Sequence, residues 1–360
     1  MLWGSLAALS LPLALLAALV FARLAGKSQR AWNLLRTLRY VLAAEILAVT
    51  ILALTGFAYE RRARQRDNEL YGRSKKLIDI GGYRLHLNCS GQGGPVVVLE
   101  YGLQGSYLDW YSVQPEIARF NRVCSYDRAG YGWSDPSPRP RVPSVMAEEL
   151  HTLLHATGAK PPYILAAHSY GSFNAVMFAH QFPDEVSGLV LVDGLHTFST
   201  FPFGLPERLS LRSMQVMVPF GIPRWRHWFG GNLPAALRGE RQAAGCRPSV
   251  YGAIYRERAD LPASVAEMRA ITSLGTVPLI GVAHDPKILS GKAGLDDWPN
   301  VQRQKLQLSK NSELVVATGS GHDIPLARPD VIVAAVKKLV AQASGTGGHP
   351  GNSLRNALPM

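Results

Sequence analysis

The sequence predicts an α/β fold, and three observations carry that reading. Short apolar runs alternate with helical segments from about residue 77 to 342. A serine stands between one such run and a helix, with tiny residues two positions away on either side. A glycine-rich loop holding a histidine precedes the last predicted helix.

Taken in order, Val96–Glu100 reads as a buried strand leading into Tyr101-Gly102-Leu103-Gln104-Gly105-Ser106. Residues 122–126 read as the next strand and run into Asp127-Arg128-Ala129-Gly130-Tyr131-Gly132-Trp133-Ser134. Residues 163–167 are a third, ending in Ala167-His168-Ser169-Tyr170-Gly171, and residues 172–181 are the helix behind it. A serine in that position sits on a sharp strand-to-helix turn that only small flanking residues allow, so its Oγ is lifted clear of the sheet. Residues 188–192 form a strand ending at Asp193, and residues 277–283 form another, followed by Asp285. Residues 312–318 are the last strand, then Gly319-Ser320-Gly321-His322-Asp323-Ile324-Pro325, then a helix over 328–341.

This set of motifs resembles the α/β-hydrolase superfamily, of the AB hydrolase-1 type, over residues 77–342. The stretch from Val96 to Ser134, with Leu108-Asp109-Trp110, resembles a bacterial membrane-tethered serine hydrolase subgroup. The resemblance implies a mostly parallel central sheet with helices on both faces, plus a helical cap. It implies Ser169 as nucleophile, His322 as general base, and the Leu103 and Tyr170 N–H groups as oxyanion donors. Tyr101 stands where the family usually has His. Asp127 is expected to be structural. The nucleophile precedes the base with the acid between them, which is the chain order of this fold. Two residues compete for the acid: Asp285, preferred because most families place the acid after the later strand, and Asp193, after the earlier one.

A serine at the elbow implies an acyl-enzyme and so a carboxylic ester, thioester or amide. Epoxide hydrolases and haloalkane dehalogenases of this fold carry Asp there. Ester hydrolysis of a largely apolar small molecule leads. The alternatives are a peptidase or amidase of the same fold, or a non-enzymatic membrane-anchored binding protein.

The N-terminal part reads differently. Residues 2–22 hold no charge and residues 40–59 only Glu45, and each run is long enough to cross a hydrocarbon core of about 30 Å. Two transmembrane helices are expected within an anchor of residues 1–76; a signal peptide is the rival for the first, against which stands the lack of a basic start. The anchor holds twelve Lys/Arg against four acids, hence +8 of the chain's +12. The basic balance thus reflects charges flanking membrane segments, which meet anionic head groups, and not a nucleic-acid surface. A lipid bilayer and a small acyl substrate are the expected partners, and a two-pass protein of the bacterial inner membrane the expected location.

About 80 residues separate Asp193 from the strand at 277, far more than a compact connection needs, so residues 195–276 are expected to form a cap. Its Phe203, Met214, Trp225 and Phe229 suggest an apolar roof. Residues 343–360 are Gly-rich and polar and are expected to be disordered. Cys124 reads as a small buried hydrophobe, and a Cys89–Cys246 bridge stays open. No paired ligand spacing is read among His86, His151, His155, His180, His227 and His284. Neither a metal nor a cofactor is expected.

Overall fold

A computed structural model describes residues 29–72, 74–195, 203–229, 233–289 and 298–345. Its core is one eight-stranded sheet in the order β1-β2-β4-β3-β5-β6-β7-β8. The strands are β1 (Lys76–Asp79), β2 (Arg84–Ser90), β3 (Val96–Glu100), β4 (Val123–Tyr126), β5 (Tyr163–His168), β6 (Val186–Val192), β7 (Leu279–His284) and β8 (Ser312–Ala317). The first two pairings, β1 with β2 and β2 with β4, are antiparallel, and the rest are parallel. Every residue of β3, β4 and β7 is buried. Strands covered on both faces need near-continuous apolar runs, which is why the sequence shows no regular alternation there.

Register decides where the chemistry lies. His168 pairs with Val192, Val192 with Val282, and His284 with Ala317. The carboxyl ends of β5, β6, β7 and β8 therefore lie in step, and the segments after them emerge at one edge of the sheet. In open α/β sheets that edge is where ligands bind.

Between β6 and β7 the chain passes through helices Leu205–Met217, Ala235–Gly245, Pro248–Ala259 and Leu261–Ala270. Within this segment Phe203 meets Tyr255 edge-on and Phe229 meets Tyr251 likewise, whereas Trp225 is exposed. The last helix runs Pro329–Gly345, three residues into the stretch expected to be disordered; residues 346–360 lie outside the described residues.

The helix Gln29–Asp67 has 39 residues and is about 58 Å long. It contains a segment of mean hydropathy 2.2, none of it buried in protein, and is long and apolar enough to cross a membrane. The expected span over 40–59 lies inside this helix. The span over 2–22 lies outside the described residues.

The cysteine reading needs correction. Cys89 and Cys124 are joined by a disulfide, while Cys246 is a buried thiol. The two bonded cysteines sit directly opposite each other in the β2–β4 pairing. Cys124 is indeed buried, but its partner comes from strand pairing that linear spacing does not reveal.

Candidate active site

Ser169 follows β5 directly and has φ +52°, a left-handed conformation that a residue with a Cβ rarely adopts. Tight packing imposes it. A Cβ at Gly171 would meet the Tyr101 carbonyl oxygen at 2.6 Å and Glu100 Cγ at 2.7 Å, so only glycine lets the helix Gly171–Gln181 start so close to β3. The turn is held by the Ser169 N–H donating to Val192 O at 2.9 Å and by Ser172 Oγ–H donating to Ser169 O at 2.7 Å.

His322 Nε2 lies 3.0 Å from Ser169 Oγ, and its Nδ1 lies 2.6 Å from Asp193 Oδ2. A carboxylate accepts only, so Nδ1 carries a proton and the neutral ring offers Nε2 as acceptor to the serine hydroxyl. Asp193 is fully buried, has φ +44°, and its N–H donates to Val282 O at 2.7 Å. Two strained residues thus face one imidazole, and backbone strain held this firmly clusters at functional sites.

The preference for Asp285 as partner of His322 is corrected by this geometry. The Asp285 carboxylate accepts the Gly319 N–H at 2.9 Å and the Lys287 N–H at 3.0 Å. Those two backbone bonds hold it below the usual carboxylate range. Its own N–H donates to Ser320 O at 2.9 Å. Asp285 therefore fastens the loop that carries His322, while Asp193 touches the ring itself.

Two further histidines stand beside this group. His284 Nδ1 lies 2.9 Å from Asp193 Oδ1, and its backbone N–H reaches the same oxygen at 3.4 Å. It is the last residue of β7, two past Val282, which pairs with Val192, so the parallel register brings it beside Asp193. His168 Nε2 bonds the His322 carbonyl oxygen at 2.9 Å, and the two rings are 4.8 Å apart. Burial, reinforced by the neighbouring His322, pulls the His168 pKa down to about 4. A neutral ring donating from Nε2 fixes the backbone of His322.

The loop after β3 closes on the serine from the other side. A Cβ at Gly102 would come within 3.1 Å of Ser169 Cβ, so the glycine permits this approach. Arg128, fully buried, donates from Nη1 to Tyr101 O at 2.7 Å and from Nη2 to Gly102 O at 3.0 Å. A trans peptide points its N–H away from its own carbonyl. Pinning the Gly102 carbonyl on Arg128 therefore turns the Leu103 N–H the opposite way. Neither the Leu103 N–H nor the Tyr170 N–H has an acceptor among the described residues. Arg128 also pairs with Glu100 at 2.6 Å and, through Nε at 2.9 Å and Nη2 at 3.2 Å, with Glu257 of the helix Pro248–Ala259. Tyr101 stacks under the guanidinium at 4.1 Å and accepts the Arg128 N–H on its hydroxyl. Asp127 accepts from His86 Nδ1 at 2.8 Å and from the Tyr107 and Trp133 N–H groups. It ties its own loop together and does not touch the serine site.

The model of the alpha/beta hydrolase fold family matches residues 95–242. The uncharacterized protein YbdG of Bacillus subtilis is 27% identical over 199 residues, 54% of this chain and 60% of YbdG. The chain thus aligns with less than two thirds of that relative's length. Among solved structures, the epoxide hydrolase CorEH superposes with a TM-score of 0.57 at 20% identity, over 75% of this chain and 99% of that one. A thermophilic esterase from Thermogutta terrifontis gives 0.55 at 20% identity, over 75% and 98%. With the sheet order and the family match together, the chain has the α/β-hydrolase fold. Similar structures with different chemistries show the fold, and the reaction has to be argued from the site.

Proposed function

We propose that the protein is a membrane-anchored serine hydrolase that cleaves esters of largely apolar small molecules through an acyl-enzyme on Ser169. The observation that carries this reading is the run of contacts Ser169 Oγ–His322 Nε2 at 3.0 Å and His322 Nδ1–Asp193 Oδ2 at 2.6 Å. In the proposed reaction Ser169 Oγ attacks the acyl carbon as His322 Nε2 takes its proton. The Leu103 and Tyr170 N–H groups receive the oxyanion, each donor contributing roughly 3–4 kcal/mol in the transition state. Collapse expels the alcohol, which leaves with the proton held by His322. His322 then deprotonates a water that attacks the ester carbonyl, releasing the acid and restoring Ser169. Asp193 stays ionised throughout and stabilises the imidazolium. A serine at position 169 favours acyl transfer over the epoxide and haloalkane chemistry that the fold supports with Asp.

The anchor reading rests on the helix Gln29–Asp67, whose Leu47, Val49, Leu52 and Leu54 side chains are all exposed. Such a surface suits hydrocarbon and not water. The apolar run over 2–22 would supply a second span.

The experiment is a turnover series of p-nitrophenyl esters of increasing acyl length with the full chain in detergent micelles. Turnover is expected to rise with chain length over the short acyl groups. It should fall by roughly five to six orders of magnitude in Ser169→Ala, the scale of a lost serine nucleophile. Undiminished turnover in Ser169→Ala would refute the serine mechanism, and activity confined to peptide amides would move the substrate class.

A further inference from the structure

The helix Pro143–Ala156 carries His151 and His155, four residues apart and so on one face. Glu185 closes a short 3-10 turn, Pro183–Glu185, from a separate part of the chain. The Nε2 atoms of both histidines converge on a single carboxylate oxygen, Glu185 Oε1, at 3.2 Å from His151 and 3.0 Å from His155. All the donor atoms of the three residues lie within 4.8 Å of one another. Phe182 stacks on the His151 ring at 3.9 Å and 10°, which fixes its direction.

We propose that His151, His155 and Glu185 form a binding site for a divalent transition-metal ion of the zinc type. Two imidazoles and a carboxylate match what zinc selects. Around a tetrahedral zinc with bonds of about 2.0–2.1 Å, neighbouring ligand atoms are about 3.3 Å apart, close to the two histidine–carboxylate separations here. Small rotations of half-exposed side chains would place three donors around one ion, with water completing the set. The i, i+4 spacing is how histidines on one helix share a zinc ion. The sequence alone does not reveal the cluster, because the third ligand comes from a turn thirty residues on.

The site's position says what the ion would do. Glu185 precedes β6 and Asp193 follows it, and seven strand residues span about 23 Å. The ion would sit at the opposite edge of the sheet from Ser169. It would clip the helix Pro143–Ala156 to the turn feeding β6, adding stability without entering the reaction.

The test is calorimetric titration of EDTA-stripped full-length protein in detergent with zinc chloride, beside magnesium chloride as control. One equivalent of zinc should bind at micromolar concentration or below and raise the thermal midpoint, while magnesium does neither. His155→Gln, at a half-exposed position that the fold does not need, and Glu185→Gln should each weaken zinc binding roughly 10–100-fold or more, as loss of a supporting contact alone costs in metal sites. Both should abolish the zinc-dependent rise in midpoint and leave ester turnover intact. Zinc binding of wild-type strength in His155→Gln, or no saturable binding in the wild type, would overturn the proposal. Zinc that only inhibits turnover, equally in both variants, would place it at Ser169 and His322 and overturn it as well.

Discussion

Asp193 is the residue on which the catalytic reading turns. It is wholly buried, yet it faces two imidazoles and a backbone N–H, so its charge is held by partners from the end of β7 and from the loop after β8. An unpartnered carboxylate could not be kept ionised there. Asp193→Asn should lower kcat by about 10⁴-fold, the scale set by the same change in a trypsin-like protease, with KM little altered. Asp285→Asn keeps a carbonyl oxygen for one of the two backbone N–H groups it accepts, and should cost stability and at most a modest part of kcat. Steady-state kinetics and thermal melts of the two variants decide between them; the reverse pattern would return the acid to Asp285. Both residues stood out in the sequence as candidates, since each ends a strand. Their ranking did not, because it depends on whether β6 or β7 directs its next side chain at His322. The value of His284 was equally hidden, since it follows from register.

At the scale of elements, the buried Arg128 joins the loop after β3, β3 itself and the helix Pro248–Ala259. Glu257 belongs to a helix between β6 and β7, so a part of that inserted segment braces the loop that carries Leu103. Breaking a buried pair leaves an uncompensated charge and costs roughly 3–5 kcal/mol. Arg128 keeps Glu100 when Glu257 is neutralised, so Glu257→Gln should lose less than that, while kcat falls and KM is nearly preserved. A folded Glu257→Gln enzyme with wild-type kcat would contradict the bracing role. The elements themselves were legible. Residues 96–99, 163–167, 188–192 and 314–317 announce strands by unbroken apolar runs, and the turn at Ser169 by its small flanks. The antiparallel edge, β1 and β2, was less visible, because His86, Asn88 and Cys89 break the apolar pattern.

At the scale of the whole molecule, a membrane-competent helix and a disulfide-bearing domain occur in one chain. Disulfides persist in oxidising compartments. Under the proposed membrane anchoring, the domain that holds the disulfide is therefore expected on the oxidising side. Alkylation with a maleimide under denaturing conditions should modify one cysteine before reduction and three after. Three modified cysteines without reduction would place the domain on the reducing side.

The central claim is that Ser169 is the nucleophile, and a covalent label tests it most directly. Full-length protein treated with a fluorophosphonate should gain the mass of one phosphonyl group, mapped by peptide mass spectrometry to Ser169. The label should be absent from Ser169→Ala. Labelling that persists in that variant, or none in the folded wild-type protein, would contradict the account.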